Sequence, residues 1–245
     1  MRTIRIFEDE QAFQRAAVEQ VVAVLGAALS ERGEATLVLT GGKTPRPIYQ
    51  MLASPPERER IAWERVHFFW GDERCVPPDD PQSNFGMAWE SMLAEFPVSQ
   101  DHLHRMLGEM EDTDKAARRY EAEIYKVIPG PREPSFDLVI LGMGEDGHTA
   151  SLFPGTEWDE ERLVVGNFVP KLGSWRITMT PHLLNAARSV IFLVSGASKA
   201  KVLAGVLEGP QGVFPAQRVS PARGDLTWLV DAAAGALIQK QAPVR

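Results

Sequence analysis

Three side chains suited to acid–base chemistry fall within four positions of one another in GMGEDGH, residues 142–148: Glu145, Asp146 and His148. An imidazole changes charge near neutral pH, so one histidine can take a proton from water and later return it to a leaving group. A neighbouring carboxylate would orient that ring or the water it activates. The segment directly follows the apolar run LVIL at 138–141. Continuous apolar runs mark strands buried on both faces, and ligands of open α/β sheets bind beyond the carboxyl ends of such strands. The spacing therefore places His148 in a pocket, with Gly142 and Gly144 as the turn that lets backbone approach a ligand.

Other strand ends carry further candidates. VHFFW at 66–70 runs into Asp72-Glu73-Arg74, where Asp72 could meet His148 and Arg74 could grip phosphate or an oxyanion. A solvated surface ion pair is the plainer reading of the same triplet. TLVLT at 36–40 runs into Gly41-Gly42-Lys43-Thr44-Pro45. Thr44 is placed as N-cap and Pro45 as the first residue of a helix through Met51, whose free N–H groups favour anions. Arg176, opening a strand at 176–180, and Lys199, just past a strand at 190–195, complete the cationic pool. Residues 142–147 formally fit G-x-G-x-x-G. That fingerprint also needs a helix opening at once and an acidic residue about 20 positions on, after a second strand. Pro154-Gly155 interrupts too soon, and no strand ends near Glu161. His67 reads as a sheet histidine and Cys75 as a small filler. His102, His104 and His182 show no metal-binding spacing, and H-E-x-x-H is absent, so no metal and no cofactor is expected.

The elements holding these groups alternate. A helix is predicted over 9–31, then strands and helices in turn, with helices near 85–94 (capped by Ser83-Asn84) and 113–127, a linker at 129–134, and strands at 136–141, 176–180, 190–195 and 226–230. This pattern predicts a single doubly wound α/β domain over 1–245: a mostly parallel sheet flanked by helices, Rossmann-like but without a dinucleotide site. The net charge of −7 in 245 residues argues against a nucleic-acid partner, yet leaves room for a local cationic pocket. One cysteine, no signal-peptide pattern and no apolar run of the ~18 residues a span needs suggest a cytoplasmic protein without a membrane partner.

Three motifs, LTGGKTPRPIYQML (39–52), FFWGDERCVPPDDPQSNFGMA (68–88) and FDLVILGMGEDGHTASLFPG (136–155), together resemble the 6-phosphogluconolactonase family, of the glucosamine/galactosamine-6-phosphate isomerase superfamily. RITMT (176–180) and SGASKA (195–200) add to the resemblance, which runs almost the whole chain. Lys43 stands where many relatives carry serine in a GGSTP loop. The resemblance implies hydrolysis of 6-phospho-D-glucono-1,5-lactone to 6-phosphogluconate in the oxidative pentose phosphate pathway; the sequence itself does not give the oligomeric state, and a monomer or weak homo-oligomer is the expectation. It places His148 as acid–base group, with Asp146 or Asp72 orienting it or the water. Arg74 and N–H groups near Gly142–Gly144 would meet the oxyanion. Gly41, Gly42, Lys43, Thr44, Arg74, Arg176 and Lys199 form the phosphate-binding pool. The rival is a glucosamine-6-phosphate deaminase/isomerase, whose pattern resembles DGHIAFNEPG. Here Phe153 stands at the position of its glutamate. A sugar-phosphate sensor without turnover is the alternative from another class.

Overall fold

The structure, a computed structural model, describes residues 1–130 and 133–239; residues 131 and 132 of the expected linker lie outside them. In chain order the regular elements are β1 (Arg2–Phe7), α1 (Glu10–Arg32), β2 (Ala35–Leu39), α2 (Pro45–Ala53), β3 (Val66–Trp70), β4 (Asp72–Arg74), α3 (Asn84–Ser91), α4 (Thr113–Val127), β5 (Leu138–Gly142), β6 (Val164–Val169), β7 (Ser174–Met179), α5 (Pro181–Leu184), β8 (Ser189–Val194), α6 (Ala200–Glu208) and β9 (Asp225–Asp231). Six strands form one parallel sheet in the order β1-β9-β8-β5-β2-β3. The doubly wound parallel sheet expected from the alternation is thus present. The strand at 176–180 belongs elsewhere. As β7 it pairs antiparallel with β4 and β6 in a separate three-stranded sheet. Alternation alone did not reveal this, because β4 is three residues long and β6 follows a loop without a helix.

Side chains alternate across the main sheet, as the pleat requires. Leu138 and Ile140 of β5 face a core built with α1, α2 and α3, whereas Val139 and Leu141 face one built with α4, α6 and the small sheet. Helix α1 begins where Asp9 accepts a hydrogen bond from the Ala12 N–H at 2.7 Å and ends at Gly33, φ 79°. Gly33 adopts the left-handed conformation that spares a side chain strain. Among the described residues α1 alone has the length and hydropathy of a membrane span. Phe13, Val18, Val21 and Leu25 of α1 are packed into the core beneath the sheet.

Winding reverses between β2 and β5. The connection from β2 leads outward to β3, and that from β5 leads the other way to β8. The carboxyl ends of β2 and β5 therefore diverge and leave a crevice, the place where open α/β sheets bind ligands. At the opposite edge the strands are tied together. Buried Asp137 accepts hydrogen bonds from the Thr36 N–H (2.9 Å) and Oγ1 (3.1 Å) and from Arg32 (2.5 Å), with Arg188 Nε at 3.4 Å. Removing a carboxylate from such a set leaves donors unsatisfied, so Asp137→Ala should lower unfolding free energy by about 2–4 kcal/mol. Urea denaturation would measure this, and turnover per folded molecule should stay at the wild-type value.

Candidate active site

Four strand-end loops meet at the crevice. Gly41–Thr44 follow β2, Asp72 and Arg74 follow β3, Gly142, Met143, Gly144, Glu145 and His148 lie at the end of β5 and in the loop after it, and Ser195 and Lys199 follow β8; all line one cleft of about 440 Å³. An adjoining lobe of about 350 Å³ shares Asp72, Arg74, His148 and Lys199 and is closed by Phe153, Lys171, Leu172 and Arg176. A larger hollow, about 1100 Å³, lies at the amino edge of the sheet, lined by Ser135, Asn185 and Arg188 among others. The gathered acid–base groups face the first two lobes, so chemistry and largest volume do not coincide.

The β5 loop is shaped around His148. Gly144 donates its N–H to the His148 carbonyl at 2.8 Å, and Thr149 Oγ1 donates to the Gly142 carbonyl at 2.9 Å. A Cβ on Gly144 would lie 2.0 Å from His148 Nδ1, so only glycine lets the ring fold back over the turn. Among the described residues Ala150, with φ 47°, is the one non-glycine residue with positive φ, a strained conformation that a small side chain tolerates best. No helix opens after the glycines. The chain passes through turns to β6, and the dinucleotide arrangement is not formed.

His148 Nδ1 lies 2.5 Å from Asp146 Oδ1, and Lys171 Nζ lies 3.0 Å from Asp146 Oδ2. Burial by itself would raise the Asp146 carboxyl, but the hydrogen bonds to His148 and Lys171 prevail and hold it at about 2. An ionised carboxylate only accepts, so Nδ1 carries the proton and Nε2 of the neutral ring keeps a lone pair. Phe153 stacks on the imidazole, with centroids 4.1 Å apart and planes inclined by 23°. The arrangement is a carboxylate–imidazole pair able to take a proton from water at Nε2 and return it.

Asp72, buried at the cleft wall, is fixed from two sides. Ser151 Oγ donates to its Oδ2 at 2.6 Å and Asn84 Nδ2 to its Oδ1 at 3.2 Å. Glu73 points the other way. It accepts from the N–H groups of Arg74, Asn84 and Phe85 and from Ser83 Oγ, and so holds the start of α3. Arg74 donates to the Gln82 carbonyl and sits directly across the β4–β7 ladder from Arg176. Burial, and next the charge of Arg74, lower the Arg176 guanidinium from its ordinary value. Like charges opposite each other are destabilising, and an anion between them would relieve this.

Two expected details differ. Thr44 has helical φ and ψ and makes no capping bond; its Oγ1 lies 2.9 Å from Ser195 Oγ and joins the β2 and β8 loops. A side-chain N-cap needs extended backbone, which this turn does not adopt. The Gly144 N–H is spent on His148, which leaves it unable to serve an oxyanion. Residues the sequence did not single out for the site are Asn84, Ser151, Ser195 and Lys171. Asn84 was visible only as a helix cap, and nothing in the spacing brings Lys171 back across 25 residues. His67, His102 and His104 stack at the outer edge of β3, His67 Nδ1 lying 2.9 Å from His104 Nε2.

Gly144→Ala should displace the His148 ring, seen as shifted imidazole NMR signals, while the circular dichroism of the fold persists. Asp146, depressed from 3.8 to about 2, contributes stability that is present above pH 3.8 and lost as the pH falls through about 2. Asp146→Asn should flatten the stability curve across that interval in acid-unfolding titrations; superimposable curves would contradict the pairing.

Known proteins resemble this chain over most of its length. Residues 8–228 match the family described as glucosamine-6-phosphate isomerases/6-phosphogluconolactonase. A 6-phosphogluconolactonase of Synechocystis sp. is 41% identical over 215 residues, covering 85% of this chain and 86% of that protein. One from Nostoc sp. is 37% identical over 243 residues, covering 96% and 98%. The crystal structure of 6-phosphogluconolactonase from Thermotoga maritima superposes with a TM-score of 0.81 at 32% identity, covering 94% of this chain and all of that one. The chain belongs to the glucosamine-6-phosphate isomerase/6-phosphogluconolactonase family.

Proposed function

We propose that this protein hydrolyses 6-phospho-D-glucono-1,5-lactone to 6-phospho-D-gluconate, with His148 as the acid–base group. The observation that carries the mechanism is the Asp146–His148 pair opening onto a cleft with cations on both sides. Nε2 of His148 takes a proton from water as its oxygen attacks the lactone carbonyl. The tetrahedral oxyanion is met by Arg74. Collapse breaks the bond to the ring oxygen, and the imidazolium returns its proton there, so a free hydroxyl and a carboxylic acid result, and the acid loses its proton to solvent to become the carboxylate. Asp146 stabilises the imidazolium in between, and such general acid–base assistance supplies about 10²–10⁴-fold of rate. Asp72, held by Ser151 and Asn84, is placed to orient the water or a sugar hydroxyl. Gly41, Gly42, Lys43 and Thr44, beside the N-terminus of α2, and Lys199 form the phosphate end; Arg176 borders the other lobe. Gly142 and Gly144 act through the shape of the turn.

The deaminase reading asks for a carboxylate beside the histidine, and Phe153 fills that position with an apolar ring stacked on His148. The relatives matched are named lactonases, which supports the same choice. A sensor would bind without turnover and would have no use for an oriented base.

Freshly generated 6-phosphogluconolactone, with EDTA present and the spontaneous rate subtracted, tests the activity. Wild type should turn over, and His148→Ala should lose about 10³-fold or more while keeping its fold. Wild type at the background rate would reject the reading. Lys199→Ala should raise KM about 10-fold or more for the phosphorylated lactone and leave unphosphorylated gluconolactone nearly unchanged. Equal effects on both substrates would remove Lys199 from the phosphate end.

A further inference from the structure

The β6–β7 hairpin reaches over the cleft and ends in the tight turn Pro170–Leu172, closed by Gly173 with φ 58°. From this tip Lys171 bonds one oxygen of Asp146 while His148 bonds the other. Asp146 is therefore shared between a ring that gains and loses a proton during turnover and a cation supplied by a different sheet. Building on the lactonase reading, we propose that Lys171 is a positioning residue that tempers the basicity of His148 by holding the second oxygen of Asp146.

The physics has two parts. Two donors on opposite oxygens fix the plane of the carboxylate and with it the tilt of the imidazole, which the Asp146 side chain alone would leave free to rotate. A cation across the carboxylate also offsets part of the negative field that favours imidazolium. A histidine serving in turn as base and acid works best when neither form is strongly favoured, and Lys171 supplies that balance. The other charged groups around the ring are Glu145 on the β5 loop, Asp72 and Arg74 on β4, Arg176 on β7 and Lys199 before α6. None of these makes a hydrogen bond to Asp146 among the described residues; Lys171 does. The Lys171 side chain is 70% exposed, so the ion pair adds little to folding, and its removal separates a functional effect from a structural one.

The test is Lys171→Met and Lys171→Arg, with kcat and KM followed against pH for the phosphorylated and plain lactones. The His148 imidazole is titrated in parallel by NMR. In Lys171→Met the acid limb of the kcat profile and the His148 titration curve should both move up by roughly 0.5 to 1 pH unit, from the loss of one nearby charge. KM and the urea midpoint should stay put, and Lys171→Arg should restore the wild-type curves. Curves that superimpose on wild type, or an effect seen only as a higher KM for the phosphorylated lactone, would overturn the proposal. The NMR titration decides it even if no lactone is hydrolysed, so failure of the lactonase reading and failure of this inference are told apart.

Discussion

At the carboxyl edge of a parallel sheet the ladder stops, and each backbone N–H and C=O that leaves it must find a new partner or bear the cost of burial unpaired. Everything at this crevice depends on how that demand is met. Two fully buried tyrosines meet it for the strands on one side. Tyr49 donates to the Thr40 carbonyl and accepts from the Thr40 N–H, both at 3.0 Å. Tyr120 does the same for Trp70, at 3.1 and 2.8 Å. Burial raises both phenols above their ordinary range, which keeps them neutral and able to play donor and acceptor at once. The loops carrying Gly41–Thr44 and Asp72–Arg74 start from these clamped points, so their backbones are settled before any ligand arrives.

Asp72 and Glu73 show how neighbouring carboxylates are given different work. In a strand, successive side chains face opposite sides. Asp72 and Arg74 accordingly border the cleft, and Glu73 turns into the protein against the start of α3. Burial raises the Glu73 carboxyl, and three backbone N–H groups pull it back. Ser83 Oγ adds a fourth donor, which makes Glu73 the anchor of the long loop from Cys75 to Asn84. Asn84, seated there, then steadies Asp72. The motif that reads as one acidic cluster is thus a cleft-side carboxylate and a structural one.

Much of this was legible because strand ends announce themselves. The runs at 36–40, 66–70 and 138–141 are apolar on both faces, each stops at glycine, and the polar residues beyond them line one cleft. The second sheet was hidden, since β4 has only three residues and its partner β7, which pairs in turn with β6, lies about a hundred positions away. Side-chain networks that cross the chain left no local trace either. Lys171 looks like any exposed lysine until the hairpin folds over Asp146, and Ser151 looks like filler in DGHTAS until it meets Asp72. The Thr44 cap failed for a related reason: spacing specifies residue type, whereas a cap depends on backbone angles that the Ser195 contact helps decide.

The Asp137 clasp has an evolutionary corollary. It ties β2, β5 and α1 at the amino edge, whereas the loops after β2, β3, β5 and β8 that meet the cleft leave the sheet at the carboxyl edge. The length of a strand separates the two. Substitutions that loosen or reshape the cleft loops therefore draw on a reserve they do not touch, and gains in heat tolerance at the clasp need not disturb selectivity. A lineage built on this sheet could retune which sugar phosphate it accepts and how warm a cell it lives in as two nearly independent traits.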